Sequence, residues 1–389
     1  MENQILINKK TIKQNKPLKK VQKEFISTTK KIKSKNVKAR LGKIVKLHEN
    51  SFIDLSSSGF YSNVKSIEDF DKNVTKNELC TPKAIIDYIA KNDIVGLSGS
   101  LFPLAQKLTS ALESNENILG EKTLIINAVE CEISLLHDTY ILNHFQAQLE
   151  KVISLLVKCG FENVIIATKP PVVTQNIGKY QISYVAARYP MGSEYVLIKE
   201  LTGVSIPSTE YPAQKGIAVV NVQTALSLFE TIATSKKNTG RFLTFADLTE
   251  AEPKTNKNAT IVYSPYGTKI LEVAKKVLGQ DVSGTLVTGG GILSGHAAQE
   301  NEQVESGTCF IGVTKDIPTF DNSNKCKMCG ACEKFCPMKV KITKISHYIK
   351  EGNIEKAKTF NAQDCIQCGT CSYVCAAQKN LMQIVGSVI

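Results

Sequence analysis

The chain contains no apolar run near the roughly 18 residues that a membrane-spanning helix needs, and its opening residues, MENQILINKK, lack the apolar stretch of a secretory leader. The expectation is a cytoplasmic protein. Histidine is scarce, and the five present (His48, His137, His144, His296, His347) show no metal-ligand spacing, so none is assigned a role. Acidic residues almost vanish from residues 1–46, where fourteen lysines and Arg40 face only Glu2 and Glu24, a net +13; the rest of the chain then sums to −1, although the whole carries +12. Aromatic side chains are missing from that stretch too, apart from Phe25, which argues against a stacking surface for single-stranded nucleic acid. What remains open to the basic segment is an anionic membrane surface, an acidic partner, or simple solvation.

What is present reads as globular. A length of 389 residues accommodates two to four domains, and 42% apolar with 22% charged residues excludes disorder throughout. Cysteine is plentiful and uneven: eight of twelve fall in the last 64 residues, whereas Cys80, Cys131, Cys159 and Cys309 are scattered. In a cytoplasmic chain such clustering favours metal ligation over disulfides.

The clustered cysteines form two runs of one pattern, C-x2-C-x2-C-x3-C. The first is Cys326, Cys329, Cys332 and Cys336, followed by Pro337; the second is Cys365, Cys368, Cys371 and Cys375, followed by Ala376. Three thiolates at this spacing wrap one cubane, and the fourth reaches the other cluster. The spacing therefore predicts one 4Fe-4S cluster on Cys326, Cys329, Cys332 and Cys375, and a second on Cys365, Cys368, Cys371 and Cys336. Gly330 and Gly369 follow the second cysteine of each run, where a small residue lets backbone N–H groups approach sulfur. A zinc ribbon is the alternative, but it uses cysteines as two pairs rather than as repeated quartets. Between the runs, HYIKEGNIEKAKTF reads as helix, turn, helix, the helical type of dicluster ferredoxin domain.

Upstream, helical and strand patterns alternate. A helix over PKAIIDYIAKND leads into GLSGSLFPLAQKL. Strand LIINAV (124–129), a long helix over roughly 139–159, strands VIIAT (164–168) and ISYVAA (182–187), a helix ending at LTG, strand IAVVNV (217–222) and a helix over TALSLFETI follow. This order implies an α/β domain with a parallel sheet over residues 80–250. Residues 251–256 form a polar linker. Residues 257–320 then give strand, loop, helix, strand TLVTG and the triple glycine Gly289–Gly291, a small β-grasp-like module. Residues 321–389 are the dicluster domain.

Glycines ahead of a helix let backbone N–H groups meet a phosphate at the positive helix end. Gly96 and Gly99 fit that role, with Lys107 available for charge pairing; an ordinary turn is the plainer alternative.

These segments, in this order, resemble the C subunit of the Rnf electron-transport complex and, more distantly, the flavoprotein subunit of respiratory complex I. GLSGSLFPLAQKL stands at the family's GxGGAGFPTxxKL loop, IINAVECE at INGxECEP, YPMGSEYVLIKELTG at YPQGxExxLIxxLTG, VVNVQTA at VNNVxTA, and DCIQCGTCSYVC at the second cluster motif. The resemblance spans about residues 80–389. It implies transfer of hydride from NADH to FMN, then of single electrons through two 4Fe-4S clusters to a redox partner protein or membrane complex. It also implies that Asn127, Glu130, Tyr189, Gly192, Glu194, Asn221 and Thr224 line the flavin and nicotinamide pocket. Without it, Asn127 reads as a strand-end turn residue and Glu194 as an acid favoured by the helix dipole. The chain departs from the pattern at Ser98 and Leu101 (glycine in the family), Leu104 (threonine) and Ile133 (proline). Residues 1–79 resemble a degenerate form of the family's N-terminal barrel-sandwich domain, without its turn glycines. Two other readings stay open: an electron-transfer subunit for a substrate reductase, as in proline-reductase-associated members, and a ferredoxin-like adaptor without flavin. Whether the chain is itself an NADH-dependent oxidoreductase stays open with them, as does peripheral attachment to the cytoplasmic membrane face.

Overall fold

The computed structural model describes residues 47–56, 66–132, 135–169, 175–249, 257–291, 293–315 and 319–389. The basic segment 1–46, Ile133 and the linker 251–256 lie outside the described residues.

Among the described residues eleven strands, β1 (Leu47–Asp54), β2 (Thr123–Ala128), β3 (Asn163–Thr168), β4 (Asn176–Ile177), β5 (Tyr180–Tyr184), β6 (Ile217–Asn221), β7 (Gly240–Asp247), β8 (Lys257–Pro265), β9 (Thr285–Gly289), β10 (His296–Ala297) and β11 (Phe310–Thr314), form two sheets. The first has the order β4-β5-β3-β2-β6; β5, β3, β2 and β6 run parallel, and β4 pairs antiparallel with β5. Its central strands are near-continuous runs of Leu, Ile, Val and Ala because both faces are covered. Every residue of β2 and β6 is buried. From β2 the chain moves outward through β3 to β5, then returns to place β6 on the other side of β2. The strand order therefore reverses between β2 and β6, and the carboxyl ends of strands at such a reversal are where sheets of this kind form a ligand crevice.

The second sheet has the order β1-β8-β7-β11-β9-β10, with β1/β8 and β7/β11 parallel and the remaining pairs antiparallel. It draws β1 and β7 from either side of residues 80–239, so this mixed sheet joins two stretches of chain that the first sheet separates. The helix Ile270–Leu278 covers one face through Ile270, Val273 and Ala274 against Leu243, Val262 and Ile311. The other face sends Phe242, Ile261 and Tyr263 into the core of the first sheet's helices. The helix Val222–Thr234 lies between these layers, which is why it is apolar on nearly all sides and buries eleven residues.

Local signals agree with the boundaries. Thr81 caps the helix Pro82–Lys91 by accepting from Ala84 N–H at 3.2 Å, with Pro82 at the first helical position, and Gly203 and Gly279 end their helices in left-handed geometry. One expectation needs correction. The long helix predicted over 139–159 is two, His137–His144 and Gln146–Val157, broken at Phe145 (φ −123, ψ 34), whose ring packs edge-on against Phe242. Burying that ring on the second sheet outweighs helical continuity. Residues 321–389 contain helices and no strand among the described residues, with Ile342–Lys350 and Ile354–Lys358 forming the expected pair.

Candidate functional site: a switch-point crevice joined to two cysteine quartets

Asn127 and Asn221 are register partners at the carboxyl ends of β2 and β6, at the reversal of the sheet. Asn221 caps the following helix, its Oδ1 accepting from Gln223 N–H at 2.9 Å, while its Nδ2 donates to Asp138 Oδ2 at 2.8 Å. Asn127 donates to the Gly192 carbonyl at 2.9 Å. Gly192 permits that approach, because a Cβ there would stand 2.1 Å from the Val129 carbonyl. Above them lies the 96–103 loop. Thr224 Oγ1 ties it down by accepting from Leu97 N–H at 2.9 Å, and the buried Arg241 donates to the Leu97 carbonyl at 3.0 Å. Lys107 pairs with Glu194 and donates to the Val219 carbonyl at 3.0 Å.

The crevice thus brings together Gly96, Gly99, Lys107, Asn127, Gly192, Glu194, Asn221 and Thr224. Gly96 does not offer its N–H to a ligand, since it donates to the Phe102 carbonyl at 2.9 Å. The exposed N–H groups of Ser98, Gly99 and Ser100 have no protein partner among the described residues, and they precede the helix Leu104–Leu112. Leu101 adopts the left-handed backbone that a glycine would supply, φ +52, with its side chain 42% exposed. Glu130 is buried and committed internally: its carboxylate accepts from Thr139 N–H and hydroxyl at 3.0 and 2.8 Å and pairs with Lys169 at 3.3 Å.

Three residues missed in the sequence complete the site. Asp138 and Gln223 flank Asn221, and each keeps one buried polar atom, Oδ1 and Nε2, without a hydrogen-bond partner. Burial, with Glu130 nearby, pushes the Asp138 carboxyl up to about 7. Polar atoms left unsatisfied beside a crevice fit a polar ligand that completes them. Glu132 accepts from Leu293 and Ser294 N–H at 3.1 and 2.7 Å. Gly291 makes room for it, as a Cβ there would lie 2.3 Å from Glu132 Cγ. An acid in a strand-end ECE run carries no sequence signal of such a role.

Several cysteines of the two runs lie within electrostatic reach of one another across the runs. Cys332 senses the charges of Cys375 and Cys326, while Cys336 senses Cys368, and Cys365 senses both Cys368 and Cys336. Cys336, Cys365, Cys368 and Cys371 line a single small hollow together with Pro337, Val340, Ile342 and Val385. The two runs share one backbone path: Met328 and Gln367 take φ +49 and +50, Gly330 and Gly369 take +69 and +75, and the Met328 and Gln367 N–H groups donate to Cys326 and Cys365 sulfur at 3.4 Å. Burial pushes the Cys332 and Cys371 thiols up to about 12, so as thiolates they require positive iron beside them.

Residues 89–230 match the model of the Nuo51 FMN-binding domain, and residues 319–379 that of the 4Fe-4S dicluster domain. The chain is 26% identical over 315 residues to the C subunit of the ion-translocating oxidoreductase complex of Buchnera aphidicola subsp. Acyrthosiphon pisum, covering 78% of this chain and 64% of that protein. It is 28% identical over 296 residues to the C subunit of the Na(+)-translocating ferredoxin:NAD(+) oxidoreductase complex of Acetobacterium woodii, covering 72% and 64%. The chain is a relative of the Rnf C subunits. It spans less than two thirds of the length of these two relatives. Among solved structures, a chain of the NAD+-reducing [NiFe]-hydrogenase in the H2-reduced state shares the fold at a TM-score of 0.53 and 16% identity, over 82% of this chain and 57% of that one. No helix among the described residues is long and apolar enough to cross a membrane.

In this Rnf C-subunit relative the FMN-binding and dicluster domains touch at Tyr189. Its hydroxyl donates to the Cys368 carbonyl, and burial, with Glu132, Cys131 and Cys368 nearby, pushes its phenol upward. A second bond runs from the Ser208 hydroxyl to the Gln363 carbonyl. Tyr189 thus stands against a cysteine loop.

Proposed function

We propose that the chain is an electron-transfer flavo-iron-sulfur subunit that draws on NADH and delivers single electrons to the partners of a membrane electron-transport complex. When bound, FMN takes up a hydride and releases electrons singly, and each 4Fe-4S cluster carries one electron. The contact of the Tyr189 hydroxyl with the Cys368 carbonyl carries the reading, because it couples the FMN-binding domain to one quartet directly. Ser98, Gly99 and Ser100 N–H groups would hold the flavin phosphate, and Asn127, Asn221 and Thr224 the ring edge. The Lys107–Glu194 pair fixes the floor of the crevice. Leu101 holds the left-handed backbone, φ +52, that a glycine would supply at this turn, which supports a loop able to take the flavin phosphate.

The test is anaerobic purification with assay of iron and extractable flavin, followed by addition of NADH. About eight irons, one FMN and bleaching of the visible bands are expected from two four-iron clusters and one flavin. A preparation holding zinc in place of iron, or iron without flavin, would sink the proposal.

A further inference from the structure

We propose that Arg241 is the positioning residue of the flavin-phosphate loop: it aims the Ser98 N–H at the phosphate and is the buried cation whose charge that phosphate balances. The inference deepens the flavin reading above and rests on it. Arg241 lies in β7, outside the residues that match the FMN-binding domain, and reaches the loop from the second sheet. It is 1% exposed, and its guanidinium donates to the carbonyls of Phe242 at 3.1 Å, Leu97 at 3.0 Å and Ser306, and to the Cys309 sulfur at 3.3 Å. Every acceptor is neutral, since burial pushes the Cys309 thiol up. No acid among the described residues is ion-paired with Arg241; the buried carboxylates are committed elsewhere, Glu130 to Lys169, Asp138 to Asn221 and Glu132 to Ser294.

A cross-brace between the second sheet and the loop would explain the four hydrogen bonds. It would not explain the charge, because a buried cation with only neutral acceptors carries an uncompensated desolvation cost. An anion in the adjoining loop removes that cost. One peptide group joins the two. The Leu97–Ser98 bond is trans, so its carbonyl and its N–H point in opposite directions. With the carbonyl held by Arg241 and the Leu97 N–H held by Thr224 Oγ1 at 2.9 Å, the Ser98 N–H is turned away from the buried guanidinium, on a stretch where Ser98, Gly99 and Ser100 are all exposed. A charged donor on the carbonyl also polarises that peptide and strengthens its N–H towards an anion. Lys107 does not take this part, because Glu194 and the Val219 carbonyl already engage its ammonium.

The experiment titrates the full chain, iron restored and flavin stripped, with FMN and with riboflavin, which lacks the phosphate, and reads binding from flavin fluorescence. The parent should bind FMN more tightly than riboflavin. A parent that binds neither ends the flavin reading and the proposal together; a parent that binds the two equally leaves the flavin reading standing and ends the proposal. Arg241→Gln should weaken FMN by about tenfold or more, the scale of a lost hydrogen bond to a charged group, and leave riboflavin within about twofold. Arg241→Lys, which keeps the charge without the fork, should recover part of the lost preference. Because Arg241→Gln takes donors from three carbonyls and is exposed to misfolding, the parent supplies a second measurement: its preference for FMN should persist from about 0.05 to about 0.5 M salt, as a buried charge is little screened. Equal weakening of both flavins in Arg241→Gln would show a brace only, an unmoved FMN affinity would show no part in binding, and a preference that collapses with salt would give the phosphate to a solvated cation. Each of these overturns the proposal.

Discussion

The two cysteine quartets are the same motif in opposite surroundings. The quartet of Cys336, Cys365, Cys368 and Cys371 lines an apolar hollow and rests on Tyr189, and a Cβ on Gly369 would lie 3.8 Å from the Leu293 carbonyl. The quartet of Cys326, Cys329, Cys332 and Cys375 leaves Cys326 and Cys329 exposed, with the exposed Lys325 and Lys327 beside them in sequence. Identical spacing and identical left-handed turns fix how iron would be held. What differs is what each quartet faces, and that decides direction: the inner one meets the FMN-binding domain, the outer one meets solvent and any partner.

The largest effect should come from breaking the crossed pairing on which the comparison depends. Cys375→Ala and Cys336→Ala should each lower iron from about eight to about four per chain, since each removes a ligand from one cubane. The decisive measurement is non-additive. Cys329→Ala with Cys375→Ala should lose no more iron than either change alone, whereas Cys329→Ala with Cys336→Ala should lose both clusters. The reverse pattern would mean that each run serves its own cluster and that inner and outer must be redrawn.

A smaller change tests the inner side alone. Tyr189→Phe removes the hydroxyl that donates to the Cys368 carbonyl. It should cost about 1 kcal/mol in thermal unfolding, the net value of one such bond. It should also shift the electron paramagnetic resonance signal of the inner cluster and leave the outer one unmoved. Equal shifts in both signals would show that the two quartets are not insulated from each other.

Much of this was legible in the sequence because it rests on short-range rules. The dicluster domain follows from the repeated cysteine spacing, and β2, β3 and β6 from uninterrupted apolar runs. The second sheet was less legible, because β1 joins β8, and β11 joins β7, across long stretches of chain and no local pattern names a strand's partner. Phe145 broke a helix for the same reason: its partner Phe242 lies almost a hundred residues away. In the crevice, glycine and asparagine positions could be read from resemblance, but not their commitments. Glu130 is consumed by Thr139 and Lys169, and Asp138, which holds Asn221, is a lone acid that nothing nearby marks.

The smallest predicted effect separates the regions by pH. Burial raises the Asp138 carboxyl from 3.8 to about 7, so between those values the folded chain keeps a proton that the unfolded chain releases. Stability from this group is present at low pH and is lost as pH rises towards 7; above that, the folded chain carries a buried carboxylate. Asp138→Asn removes this dependence while still accepting from Asn221. The variant's melting temperature relative to the parent should therefore climb between pH 5 and pH 8. The neighbouring His137 works in the opposite sense, its pKa held below 6.5 by burial, and it is present in both proteins, 3.7 Å from Asp138 Oδ1 in the parent. Lys325→Gln, on the solvated outer face, should give a difference that stays flat over the same range. Parallel curves for both substitutions would mean that Asp138 is hydrated in the folded chain, and the contrast between a dry inner side and a wet outer side would not extend to the crevice.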